Sequence, residues 1–111
     1  MAPPRLTAGL WVAAYLARLR LAGIPHYLVA RGDATAGAVL VKCATLDGRA
    51  AVWQRSFDIL ADARVWVVLA EGEEAAVDAA VARQRSRDPD LWVVEVEDRA
   101  GRTLLDQPGL D

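Results

Sequence analysis

A chain of 111 residues corresponds to about one domain, long enough to bury most of its apolar surface without staples. Its 54% hydrophobic and 25% charged content excludes a disordered chain. A net charge of −2 provides no general field for nucleic acid or an anionic membrane, so neither is expected as a partner.

The first helix is predicted from Thr7, the N-cap, to Ala22, because Gly23 and Pro25 supply a stop. Arg5 followed by an apolar run has the outline of a secretory leader. However, Arg18 and Arg20 follow at once and the run halts at Gly23, as a folded helix does. At 100° per residue, Val12, Tyr15, Leu16 and Leu19 share one face, while Leu6, Leu10, Ala17 and Leu21 share nearly the opposite one. One sheet can cover either face but hardly both, so Leu10, Trp11 or Leu21 is expected at a two-fold contact between copies.

Strand one is expected over residues 26–31 and strand two over 38–45, with Arg31-Gly32-Asp33 in the connecting loop. Asp47-Gly48 suits a tight hairpin into strand three, from residue 50 to 55 or 57. With a two-residue turn, Thr45 faces Ala50, Lys42 faces Trp53 and Leu40 faces Arg55. Lys42, Trp53 and Arg55 then share one exposed face, where two cations and an indole could hold an anion, a nucleotide or a carboxylate. The simpler reading of that face is cross-strand cation–π support.

A fourth strand is predicted at 65–69 and a second helix at about 73–87. Glu73 and Glu74 stand at the helix's positive end, Arg83, Arg85 and Arg87 at its negative end, and its thin apolar stripe is Val77, Ala80 and Val81. Strand five, 91–97, points Trp92, Val94 and Val96 to the core and Glu95 and Glu97 outward. A short final strand or tail runs through Leu105. The predicted fold is one α+β domain over 1–111, a largely antiparallel sheet of about five strands with both helices mainly on one face.

Three stretches carry a resemblance: Arg5-Leu6-Thr7-Ala8 with Leu10-Trp11-Val12; Arg31-Gly32-Asp33 with residues 35–42; and residues 88–98 with Gly101-Arg102. Together they resemble a family of small uncharacterised proteins, mainly alphaproteobacterial, known only as a domain of unknown function. The resemblance implies a bacterial, intracellular protein and transfers no site.

No catalytic constellation, metal site or cofactor motif is found. His26 alone cannot build a multi-histidine site, and Ser56 and Ser86 lie in no nucleophile pattern. Cys43, the only cysteine, excludes an intrachain disulfide and suits a reducing compartment. Asp90, Glu95 and Glu97 faintly suggest a metal-dependent hydrolase, but their spacing is poor and a solvated strand face is simpler. The leading expectation is therefore a cytoplasmic, non-enzymatic interaction domain, a homodimer with room for a further, unidentified protein partner. A ligand-binding module built on Lys42, Trp53 and Arg55 is the alternative.

Overall fold

The computed structural model describes residues 6–110, with only the backbone of Phe57. Arg5, which begins the first stretch of resemblance, lies outside the described residues. Seven elements follow in the order α1 (Ala8–Leu21), β1 (His26–Ala30), β2 (Val39–Ala44), β3 (Arg49–Asp58), β4 (Ala63–Glu73), α2 (Glu74–Arg87) and β5 (Trp92–Glu97).

Local chemistry bounds α1 at both ends. The Thr7 hydroxyl oxygen accepts from the Leu10 amide at 3.4 Å. At the other end Gly23 adopts φ 72°, its N–H donates to the Arg20 carbonyl, and the Ile24 N–H reaches back to that of Leu19. This paired closure satisfies carbonyls that would otherwise be orphaned, and it turns the chain directly into β1. The first amide of α2 is capped by the tertiary structure instead: the Glu74 N–H donates to the Gly48 carbonyl in the β2–β3 turn at 2.9 Å.

The five strands form one sheet in the order β1-β5-β2-β3-β4. The β2–β5 pair is parallel and the other three pairs are antiparallel. β5 therefore slots between β1 and β2, and as a central strand it buries side chains on both faces. Trp92, Val94 and Val96 pack with Trp11, Val12, Tyr15 and Leu19 of α1, whereas Leu91 and Val93 pack with Leu40, Val52, Val77 and Val81 on the α2 side.

The helices thus lie on opposite faces, which corrects the expectation that both cover one. The α+β class and the mostly antiparallel sheet stand. A helix that follows a long meander can return on either side, and here each face carries its own buried apolar row.

The hairpin register is also corrected. The β2–β3 loop is three residues long, Leu46, Asp47 and Gly48, with φ of 62° at Leu46 and 87° at Gly48. Ala44 therefore faces Ala50, Lys42 faces Val52 and Val41 faces Trp53. The Asp47 carboxylate holds this loop by accepting from the Thr45 hydroxyl and the Arg49 amide. A shift of one residue turns every side chain of β3 to the other face.

Among the described residues, the chain after β5 forms no strand. Residues 103–110 instead lie along α1, where the Tyr15 hydroxyl donates to the Thr103 carbonyl at 2.7 Å and the Trp11 indole N–H to that of Leu110 at 3.2 Å. Leu104, Leu105 and Leu110 pack against the same core. Burial first, then the nearby Cys43, raises the Tyr15 phenol well above its ordinary range.

Candidate functional site

Three places carry side-chain chemistry, and the first is centred on Lys42. This lysine is only 5% exposed on the α2 face of the sheet. Its ammonium lies 2.7 Å from Glu74 and 2.6 Å from each of Asp78 and Glu95. Glu74 and Asp78 stand one turn apart on α2, and Glu95 is the residue directly beside Lys42 on β5. Burial works against the ammonium's charge, but hydrogen bonds to Asp78, Glu74 and Glu95 outweigh it and hold its pKa above the ordinary lysine range.

An oxygen from each of these carboxylates lies within 4.8 Å of the others, close enough to hold a cation. The Lys42 ammonium stands at that centre, and its three N–H bonds match three acceptors. The cluster therefore ties α2 to the middle of the sheet. It is not the exposed arrangement expected of Lys42. Nor is Glu95 simply an outward, solvated residue, because its neighbour β2 brings a buried cation beside it. Asp90 precedes β5, five residues before Glu95, and an extended segment of that length spans roughly 17 Å. Glu95 and Glu97 share the α2 face, but Asp90 is not brought to them.

The second place lies on the opposite side of the sheet. The Arg55 guanidinium sits 4.8 Å from the ring centre of Trp11 and 5.0 Å from that of Trp66, beside a pair of indoles whose own centres are 5.3 Å apart. Trp11 in turn stacks on Tyr15 at 4.9 Å. Arg55 therefore does make the expected cation–π contacts, but with Trp11 and its cross-strand neighbour Trp66. Trp53 and Arg55 face α1 whereas Lys42 faces α2, so the structure divides the predicted trio between the two faces.

Beside Arg55 a cleft of about 680 Å³ opens at the end of the sheet, between the start of α1, the loop before β2, the far half of β3 and the end of α2. Arg55, Arg64, Gln54, Gln84, Thr7 and Asp88 are among its polar groups. β2 stops pairing at Leu40 opposite Gln54, whereas β3 runs on to Asp58 with β4 as its partner, and this overhang makes one wall. Arg64 and Gln84 were not singled out from sequence, because nothing local signals that a hairpin overhang and a helix end converge.

The third place is the outer side of α1. Leu10 is 61% exposed and Leu21 is 90% exposed, with Ala13 and Ala17 exposed between them. Trp11 does not belong to this surface. It is 2% exposed and turned into the core, which corrects its assignment as a contact residue, since its position about 100° around the helix from Leu10 points it at the sheet.

The loop holding Arg31, Gly32 and Asp33 is a structural latch. The Trp92 indole N–H donates to the Asp33 carbonyl at 2.8 Å, the Asp33 N–H donates to the Asp90 carbonyl at 3.0 Å, and Arg31 covers the Trp92 ring at 5.7 Å. His26 has a turn role, its Nδ1 lying 2.8 Å from the Ile24 carbonyl oxygen. No described helix is long and apolar enough to cross a membrane.

Comparison with known proteins places this architecture. A crystal structure of a DUF1491 family protein from Caulobacter crescentus CB15 matches with TM-score 0.82 at 37% identity, covering 95% of this chain and 97% of that one. The NMR structure of a DUF1491 family protein from the same organism matches with TM-score 0.83 at 37% identity, over 96% and 97% of the two chains. The solution structure of protein Atu0922 from A. tumefaciens matches with TM-score 0.72 at 31% identity, over 95% and 98%. No curated protein matches the chain. With the model of the family described as protein of unknown function (DUF1491) matching residues 6–106, and with this fold shared nearly end to end, the chain belongs to the DUF1491 family.

Proposed function

We propose that this protein is a non-catalytic, cytoplasmic interaction domain that pairs with a second copy of itself through the outer side of α1. The observation that carries this reading is the exposure of Leu10 and Leu21, eleven residues and just over three full turns apart on one side of the helix. Ala13 and Ala17 lie between the leucines. Small residues between large ones leave a shallow seat. A second α1, running antiparallel about a two-fold axis, places its leucines over those alanines and receives the same in return. A buried free Cys43 fits a reducing compartment.

Light scattering on the intact chain at tens of micromolar tests the reading. The expected mass is twice that of the chain, and Leu10→Glu with Leu21→Glu should give a folded monomer, because both positions lie outside the core. A monomeric parent protein, or a double variant that still dimerises, would overturn it.

A further inference from the structure

We infer that residues 105–110 form a strap that the two copies of the α1 pair exchange, each laying it across Trp11 and Arg18 of the other. This rests on the pairing of copies through α1 and deepens it. One side of α1 carries a row of donors, Trp11, Tyr15 and Arg18, spaced four and three residues apart. The acceptors they meet on the tail are all main-chain carbonyls. Tyr15 donates to Thr103, Arg18 to Gln107 at 3.4 Å and Pro108 at 3.1 Å, and Trp11 to Leu110. Leu105 and Leu110 pack against the core beside this row. Among the described residues, no main-chain hydrogen bond ties the strap to the body of the protein. A groove that reads carbonyls and leucines accepts the same segment of a second copy with the same contacts.

The hinge of the strap is Leu104. Its φ of 61° lies in the left-handed region, which a leucine adopts only at a cost. The bend is fixed on one side by the Tyr15 bond to Thr103 and on the other by a turn, in which the Gln107 N–H donates to the Leu104 carbonyl at 3.3 Å. Extending the hinge toward a second copy releases that bend, and a short hinge under strain favours exchange.

The antiparallel pair also puts the hinge near its two-fold axis. The midpoint of Leu10 and Leu21 falls at Tyr15 and Leu16, and Tyr15 is the residue that anchors Thr103. An axis perpendicular to both helices keeps the two straps on the same side of the pair. Paired helices stand about 8 to 10 Å apart, and Trp11 lies about 6 Å along the helix from Tyr15. Residues 104–110, extended, span roughly 23 Å, which is enough to cross.

The test mixes 13C,15N-labelled and unlabelled copies of the intact chain by joint refolding from urea. Isotope-filtered NOEs should connect the Leu110 methyls of labelled copies to the Trp11 indole of unlabelled ones. A dimer by light scattering in which Leu110 meets Trp11 only within one copy would overturn the exchange and leave the pairing intact, whereas a monomer would overturn both. Leu104→Gly should raise the dimer dissociation constant at least about tenfold, because the closed monomer then carries no left-handed penalty. An unchanged or lower constant would overturn the exchange. The isotope-filtered contact decides the question if that variant does not fold.

Discussion

The Lys42 ammonium and the Glu95 carboxylate meet at 2.6 Å across the one parallel strand pair of the sheet. Glu74 and Asp78 approach the same ammonium from α2, so a single cation joins two central strands to the helix above them. The lysine is buried, whereas the side chains of Glu74, Asp78 and Glu95 are 40%, 57% and 25% exposed. Solvent therefore screens the acids far more than the base.

Removing the base leaves three carboxylates facing one another. Lys42→Ala should cost about 2 to 4 kcal/mol in urea unfolding, toward the low side of a broken buried pair because the acids retain some water. Asp78→Asn, at the most exposed partner, should cost less than about 1 kcal/mol. An unchanged midpoint for Lys42→Ala would show that the cluster does not hold α2 in place.

Alkaline pH should destabilise the fold through Lys42 and Tyr15, in addition to the Cys43 thiol, which burial also raises above its ordinary value and which acts with the same sign from lower pH. Both Lys42 and Tyr15 have folded pKa values raised above their unfolded ones, from ordinary values of 10.5 and 10.0. Below about pH 10 both states hold these protons and the full contribution is present. Above it the unfolded chain loses them first, so stability falls by up to about 1.4 kcal/mol per pH unit for each group as pH rises toward the folded values. Tyr15→Phe should flatten the slope of unfolding free energy between pH 10 and 11, removing roughly half of the part that Lys42 and Tyr15 supply together if these two contribute equally.

Gly32 and Gly37 should resist substitution for a reason unrelated to backbone freedom. A Cβ at either would press into the Asp90 carbonyl oxygen and approach Trp92 Cδ1 to 2.7 Å from Gly32 and 2.9 Å from Gly37. Gly32→Ala should therefore cost about 2 kcal/mol or more and shift the Trp92 indole resonance, since the latch to Asp33 must open. At Gly48, where space is open and φ is 87°, alanine should cost only about 1 to 2 kcal/mol, from backbone strain.

Leu46 holds φ 62°, a conformation that favours glycine or asparagine. Leu46→Gly should stabilise the protein or leave it unchanged, within about 1 kcal/mol in chemical denaturation, because relief of strain offsets the added chain entropy. A loss well beyond that would show that the leucine side chain makes a contact worth more than the strain.

Much of the secondary structure was legible because it follows from local chemistry. Thr7 and Gly23 bound α1, the alternation over residues 91–97 marks the fifth strand, and helical spacing alone sets out Val77, Ala80 and Val81 as the buried stripe of α2. Capping and periodicity depend on neighbours within a turn or two, and the sequence displays those directly.

The site residues depended on interactions that sequence spacing does not contain. A three-residue β2–β3 loop in place of a two-residue turn moved Lys42 away from Trp53 and Arg55, because strand side chains alternate with period two. β5 entering between β1 and β2 put Glu95 beside Lys42, and α2 crossing to the other face added Glu74 and Asp78. The amphipathic pattern of α1 was intrinsic to its sequence. Whether its second face was covered was decided by tertiary packing, which spends one side of the helix on the sheet and places the tail beside Tyr15 and Arg18, leaving Leu10 and Leu21 exposed.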